Sequence, residues 1–175
     1  MKKYRVLFFL GYVALFLYCQ KEYDKLLSIH PEDKIMVYFN SFEAQKDTTY
    51  ERLEPPSDAV NSGAPSCGEQ SLHIMGGCIQ PALQFQVIAP IDGQYEMGIW
   101  TRLKDTSQPG QIIFRNQIAS QSVAIPVVEQ EWVYSVSDRL KGIEKGDTLN
   151  IDFLIGGFIA AEMWIDCLTV EAIPD

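Results

Sequence analysis

Trp100 and Arg102 stand two residues apart, with Glu96 a little upstream, in the run 94–103. Strand alternation would place Glu96, Gly98, Trp100 and Arg102 on one face and Tyr95, Met97, Ile99 and Thr101 on the other. A flat ring beside a guanidinium and a carboxylate is the chemistry of sugar recognition. The ring covers the apolar C–H face of a pyranose, while planar charged groups hydrogen-bond its hydroxyls. A core role for Trp100 and a plain surface ion pair for Glu96 and Arg102 are the structural alternatives. Phe158 follows Gly156-Gly157, a pair that reads as a bulge or tight turn with the ring at its tip. There it would touch a ligand or a partner protein, or fold back into the core. Trp132 and Trp164 sit in apolar strand patterns and read as packing residues.

Catalytic and zinc-binding patterns are missing. The chain has no Gly-x-Ser-x-Gly, no His-Glu-x-x-His and no phosphate-cradling glycine loop, and its two histidines, His30 and His73, leave little room for a triad. No Cys-x-x-Cys or His-x-x-x-His spacing supports zinc. Among the four cysteines, Cys67 and Cys78 flank a short segment and form the expected disulfide, with Cys167 a buried thiol inside an apolar strand. The expectation is a non-catalytic protein.

The elements that must carry these residues are strands. Nine runs rich in β-branched and aromatic residues, 35–42, 71–75, 83–89, 94–103, 111–118, 122–128, 132–137, 148–155 and 161–173, alternate with Gly, Pro, Asn and Asp clusters. Asp92-Gly93 and Gly146-Asp147 suit tight turns between antiparallel strands. No 3.6-residue periodicity competes, so the fold class is all-β, a two-sheet antiparallel sandwich. The interval 43–70, with Pro55-Pro56 and Asn61-Ser62-Gly63, is a long loop of the kind that often carries function.

Upstream of the strands, basic residues 2–5, the apolar run 6–18 and Cys19 resemble a bacterial lipoprotein signal, with Tyr18 where that family prefers a small residue. Thirteen apolar residues followed by Gln20-Lys21-Glu22 fall short of a membrane span. The resemblance implies a signal peptide over 1–18, palmitate or a related acyl chain on Cys19, a lipidated tether over 19–33, and a sandwich domain over 34–175 held at the outer membrane, on either of its faces. Removal of Lys2, Lys3 and Arg5 leaves 11 basic against 23 acidic side chains, a formal charge of −12. Such a surface repels nucleic acid and anionic headgroups, so membrane attachment falls to the lipid.

Phe42-Glu43, Ser71-Leu72-His73-Ile74, the 93–102 run, Trp132-Val133-Tyr134, the 147–153 run and Met163-Trp164-Ile165-Asp166 follow an order that resembles the galactose-binding-like jelly roll of carbohydrate-binding modules, over about residues 35–173. That resemblance implies glycan binding without turnover, and a structural calcium held by Glu43 and Asp166 with loop carbonyls near Asp47. Cys167 stands where many relatives carry a second Asp. A structural lipoprotein docking to an envelope protein is the alternative. If Cys19 carries the anchor, Cys19→Ala moves the protein from the detergent phase to the soluble fraction on phase partition. Wild type that is already soluble would contradict the lipid anchor.

Overall fold

The computed structural model describes residues 34–43, 50–52, 58–60, 63–65, 67–77, 81–118, 120–156 and 161–175. The signal, Cys19, the tether, Asp47, Cys78 and Phe158 lie outside the described residues. The strands are β1 (Ile35–Asn40), β2 (Tyr50–Arg52), β3 (Asp58–Val60), β4 (Ser71–Gly76), β5 (Leu83–Ile88) and β6 (Gly93–Leu103). They continue as β7 (Gly110–Asn116), β8 (Gln121–Val127), β9 (Val133–Val136), β10 (Leu140–Ile143), β11 (Thr148–Ile155) and β12 (Ala161–Ile173). All nine expected runs are strands. The interval 43–70 adds two three-residue strands, β2 and β3, and β10 adds a third short segment between two expected runs.

Two antiparallel sheets form the sandwich. Seven strands build one, with β12 at its centre: β6 lies along one side, while β4 and β1 share the other. The edges of this sheet are β9 and β10 beyond β6, and β3 beyond β4. The other sheet runs β2-β5-β11-β7-β8. Between them the alternate residues Leu83, Phe85, Val87, Tyr95, Met97, Ile99, Ile112, Phe114, Leu149, Ile151 and Phe153 point inward and are buried. Period-2 alternation of apolar residues in facing sheets creates this core, because each strand must turn one side away from water. Tyr95 is large and fully buried; its hydroxyl donates to the Ile91 carbonyl at 2.7 Å, satisfying the one polar atom it brings inside.

The register of β12 against β6 shifts between Asp166 and Thr169, a bulge at which Cys167 takes a left-handed φ of 43°. That turn aims Cys167 at the segment before β4, where it forms a disulfide with Cys67, Cα–Cα 5.8 Å. The expected Cys67–Cys78 bridge is therefore replaced, and Cys167 is not a free buried thiol. Sequence proximity favoured Cys78, whereas the bulge brings a cysteine 100 residues away into bonding distance. Closing a loop of 100 residues contributes about 4.7 kcal/mol in the chain-entropy model. Cys167→Ser is expected to lower stability by about that amount in urea denaturation, and a non-reducing digest should yield the Cys67–Cys167 peptide. A digest joining Cys67 to Cys78 would contradict the pairing.

Candidate functional site

Each sheet has one face in the core and one turned outward, so two outer faces are available to a ligand. On the seven-stranded sheet, register aligns Arg102 of β6 with Trp164 of β12 and His73 of β4. Trp132 precedes β9, whose Val133 pairs with Thr101, so its ring falls beside Arg102. The result is a ladder. The Arg102 guanidinium lies 5.1 Å from the Trp132 ring and 4.6 Å from the Trp164 ring, and His73 stacks on Trp164 at 4.7 Å and 15°. His73 Nε2 lies 3.0 Å from Glu162 Oε2, and Lys104 donates to the same carboxylate. That Lys104 bond, more than the weaker one from His73, holds Glu162 below the usual carboxylate range.

The ladder brings Trp100 and Arg102 to one outer face, as alternation required, and places Trp132 and Trp164 there too rather than in the core. Trp100 meets Tyr134 of β9 at 5.5 Å and 49°. Yet Trp164 has both ring faces covered, by Arg102 and His73, so it cannot also stack on a pyranose. Glu96 does not join the group. It lies six residues from Arg102, ~20 Å along the strand, and is buried in ion pairs with Lys34 and Arg139, the latter donating from Nε at 3.1 Å. Burial alone would raise the Glu96 pKa, but the two cations outweigh it and hold the carboxyl below its ordinary value. Glu96 is thus a structural anchor for Lys34 and β10's flank, and the expected Glu96–Arg102 partnership does not form.

The outer face of the five-stranded sheet is chemically different. Its central strand, β11, alternates Leu149, Ile151 and Phe153 inward with Asn150 and Asp152 outward. Cross-strand register sets Gln84, Asp152 and Ile113 in one row and Gln86, Asn150 and Arg115 in the next. Asp152 accepts from Gln84 Nε2 and, at 2.6 Å, from Arg115 Nε. Asn150 is 2% exposed, and its Oδ1 has no hydrogen-bond partner among the described residues. Buried acceptors are nearly always satisfied, by protein, water or ligand. A third row, Leu154 and Gln111, leads into an open depression of about 370 Å³ lined by Pro109, Pro126 and Val128. Together these rows form a band of amides and one carboxylate–guanidinium pair ending in an apolar hollow, a layout that offers donors and acceptors to hydroxyls. Sequence reading missed it, although polar residues alternating inside the apolar run 148–155 carried the signal.

At the β12 bulge, Glu43 and Asp166 approach closely enough that the charge of Glu43 acts on Asp166. Asp166 is fully buried; its Oδ2 accepts from Ala64 N and its Oδ1 from Cys167 N, at 2.8 and 2.7 Å. Glu43 Oε1 accepts from Gln70 N at 2.8 Å, lying against Gly68, where a Cβ would meet it at 2.2 Å. Calcium requires six to eight oxygens. Here three of four carboxylate oxygens already receive backbone N–H groups, and the flanking group is a disulfide, a poor calcium partner. The Asp47 loop expected to complete a calcium set with Glu43 and Asp166 lies outside the described residues, and the Cys67–Cys167 bridge cross-links the same two segments.

Comparisons with known proteins place the fold. No family model matches the chain, and no curated protein matches it. Among solved structures it is similar to the CBM22-1 xylan-binding domain of Xyn10C from Paenibacillus barcinonensis, at TM-score 0.58 and 19% identity over 81% of this chain and 96% of that one. It is also similar to TmCBM61 in complex with β-1,4-galactotriose, at TM-score 0.56 and 16% identity over 74% and 92%. The C-terminal family 22 carbohydrate-binding module of Xyn10B from Clostridium thermocellum gives TM-score 0.56 and 11% identity over 79% and 94%. The all-β sandwich has the jelly-roll architecture of these modules.

Burial first, and then the charge of Glu43, push the Asp166 carboxyl up to about 6 despite its two backbone donors. The folded state therefore binds a proton more readily than the unfolded chain between about pH 4 and 6, and this group's contribution to stability falls as pH rises through that window. The difference amounts to at most about 3 kcal/mol. Asp166→Asn is expected to flatten the pH dependence of the melting temperature between pH 4.5 and 6.5 relative to wild type. Parallel profiles for the two proteins would contradict the assignment.

Proposed function

We propose that the chain is a lipid-anchored envelope protein that binds a glycan without turning it over, through the outer face of the five-stranded sheet. The jelly-roll architecture supports a binding module. The unpartnered Oδ1 of buried Asn150, set among Gln84, Gln86, Arg115 and Asp152, carries the placement of the site. Once the flanking Gln86 and Arg115 side chains swing aside, a sugar hydroxyl supplies the donor that buried Asn150 lacks, and the neighbouring amides and guanidinium reach adjacent hydroxyls. Gln111 extends the polar contacts toward the hollow at Pro109 and Pro126, where an apolar sugar face finds cover. Across strands ~4.8 Å apart, the band from β5 to β8 matches a linear segment of about three sugar units. Cys19 tethers the domain to the outer membrane in this reading.

A second reading takes the opposite sheet as a protein-docking surface. Tyr134 and Val136 on the edge strand β9 and Phe39 on β1 are about half exposed, an apolar fringe around the ladder.

The test is calorimetric titration with soluble xylan and β-1,4-galactan oligosaccharides. Asn150→Ala removes an acceptor that is unpaired in the free protein, so the fold tolerates it, while an unmade hydrogen bond in the complex costs about 1–3 kcal/mol, roughly 5- to 150-fold in affinity. Tyr134→Ala is expected to bind as wild type does. Loss of binding in Tyr134→Ala with none in Asn150→Ala would move the site to the other sheet.

A further inference from the structure

The disulfide and Asp166 converge more tightly than cross-linking needs. The sulfur atoms of Cys67 and Cys167 and a carboxylate oxygen of Asp166 all lie within 4.8 Å of one another, on two segments a hundred residues apart. Cys67 and Asp166 are buried, and Cys167 is partly exposed, giving the cluster one approach from solvent. Asp166 has no cationic side chain among its hydrogen-bond partners; its two oxygens are oriented by Ala64 N and Cys167 N.

We propose that opening this bridge creates a site for a thiophilic divalent metal of the zinc class, with Cys67 Sγ, Cys167 Sγ and an Asp166 carboxylate oxygen as ligands. Reduction by a dithiol opens it: the reductant is oxidised to its own disulfide, and the bridge takes up two electrons and two protons to give two thiols. Metal binding then displaces those two protons to solvent, and two thiolates and a carboxylate neutralise the dication with one negative charge to spare. Tetrahedral zinc sets its ligands about 3.4–3.8 Å apart, and the three atoms already lie within 4.8 Å. Cα atoms 5.8 Å apart let the two sulfurs separate to that spacing by side-chain rotation. The backbone N–H donors on Asp166 are the outer-shell support that fixes a ligating carboxylate. Water takes the fourth position from the side of Cys167. The donor set is wrong for calcium and right for a soft ion, because sulfur selects it. Oxidised, the site is closed, since a disulfide offers no thiolate.

The experiment adds cobalt(II) to the full chain after dithiol reduction and anaerobic removal of the reductant. One equivalent is expected to give a sulfur-to-cobalt charge-transfer band and tetrahedral visible bands that zinc abolishes, and the oxidised protein should give neither. Cys167→Ser should lose the charge-transfer signal. Asp166→Asn should keep it while weakening cobalt binding more than about 100-fold, beyond the roughly 10- to 100-fold that loss of outer-shell support alone costs. Because a variant can misfold, the melting temperature of reduced wild type serves as the second readout, and zinc should raise it while leaving the oxidised protein unchanged. Reduced wild type without the band, a band that survives in Cys167→Ser, or zinc stabilisation equal in both redox states would overturn the proposal.

Discussion

The antiparallel pairing of β12 with β6 is the constraint on which the rest of the molecule depends. These two long strands run side by side from Met163 and Leu103 to Ile173 and Gln94, and β4 and β1 attach to the far side of β12. Their inward residues, among them Met97, Ile99, Ile165, Leu168 and Val170, form the central rib of the core. The same pairing fixes what stands outside, since Trp164 meets Arg102 only in this register. A one-residue slip would put every inward side chain of β12 into water. Within the β12–β6 pairing the register shifts at Asp166 and Cys167. There the strand gives up regular pairing and gains a covalent link and a buried carboxylate that hold the segment before β4.

The two outer faces follow different physics. Aromatic and guanidinium planes on the seven-stranded sheet are stacked against one another, so much of their binding capacity is consumed internally. On the five-stranded sheet, polar side chains project from strands whose other faces bury Leu83, Phe85, Ile112, Phe114, Leu149, Ile151 and Phe153. Asp152 is satisfied by Gln84 and Arg115, whereas Asn150 retains an unmatched acceptor. Among the described residues, Asn150 Oδ1 is the buried acceptor on this face that a hydroxyl donor would satisfy.

Much of the fold was legible in the sequence because period-2 alternation is a local signal: Gln94 to Leu103 sorted its faces correctly, and Trp100 and Arg102 do share one. What remained hidden depends on register between distant strands. Nothing near Trp164 in the chain announces Arg102 and His73 as its stacking partners. Alternation puts Glu96 and Arg102 on one face, but a shared face says nothing of distance along it, and Lys34 and Arg139 lie nearer to Glu96. The cysteines were paired by chain separation, which the bulge overrides. Asn150 and Asp152 were visible as polar interruptions in an apolar strand, yet only the sheet shows that Gln84, Gln86 and Arg115 stand beside them.

Glycan binding at the outer face of the five-stranded sheet is the proposal that most needs a direct readout. Side-chain amide resonances report it directly: in an isotope-edited NMR titration with soluble xylan or β-1,4-galactan oligosaccharides, those of Asn150, Gln84, Gln86 and Gln111 are expected to shift together and saturate with one affinity. The indole resonances of Trp100, Trp132 and Trp164 should stay in place. Saturating shifts confined to the indoles, or none at all with either oligosaccharide, would rule out glycan binding at this sheet.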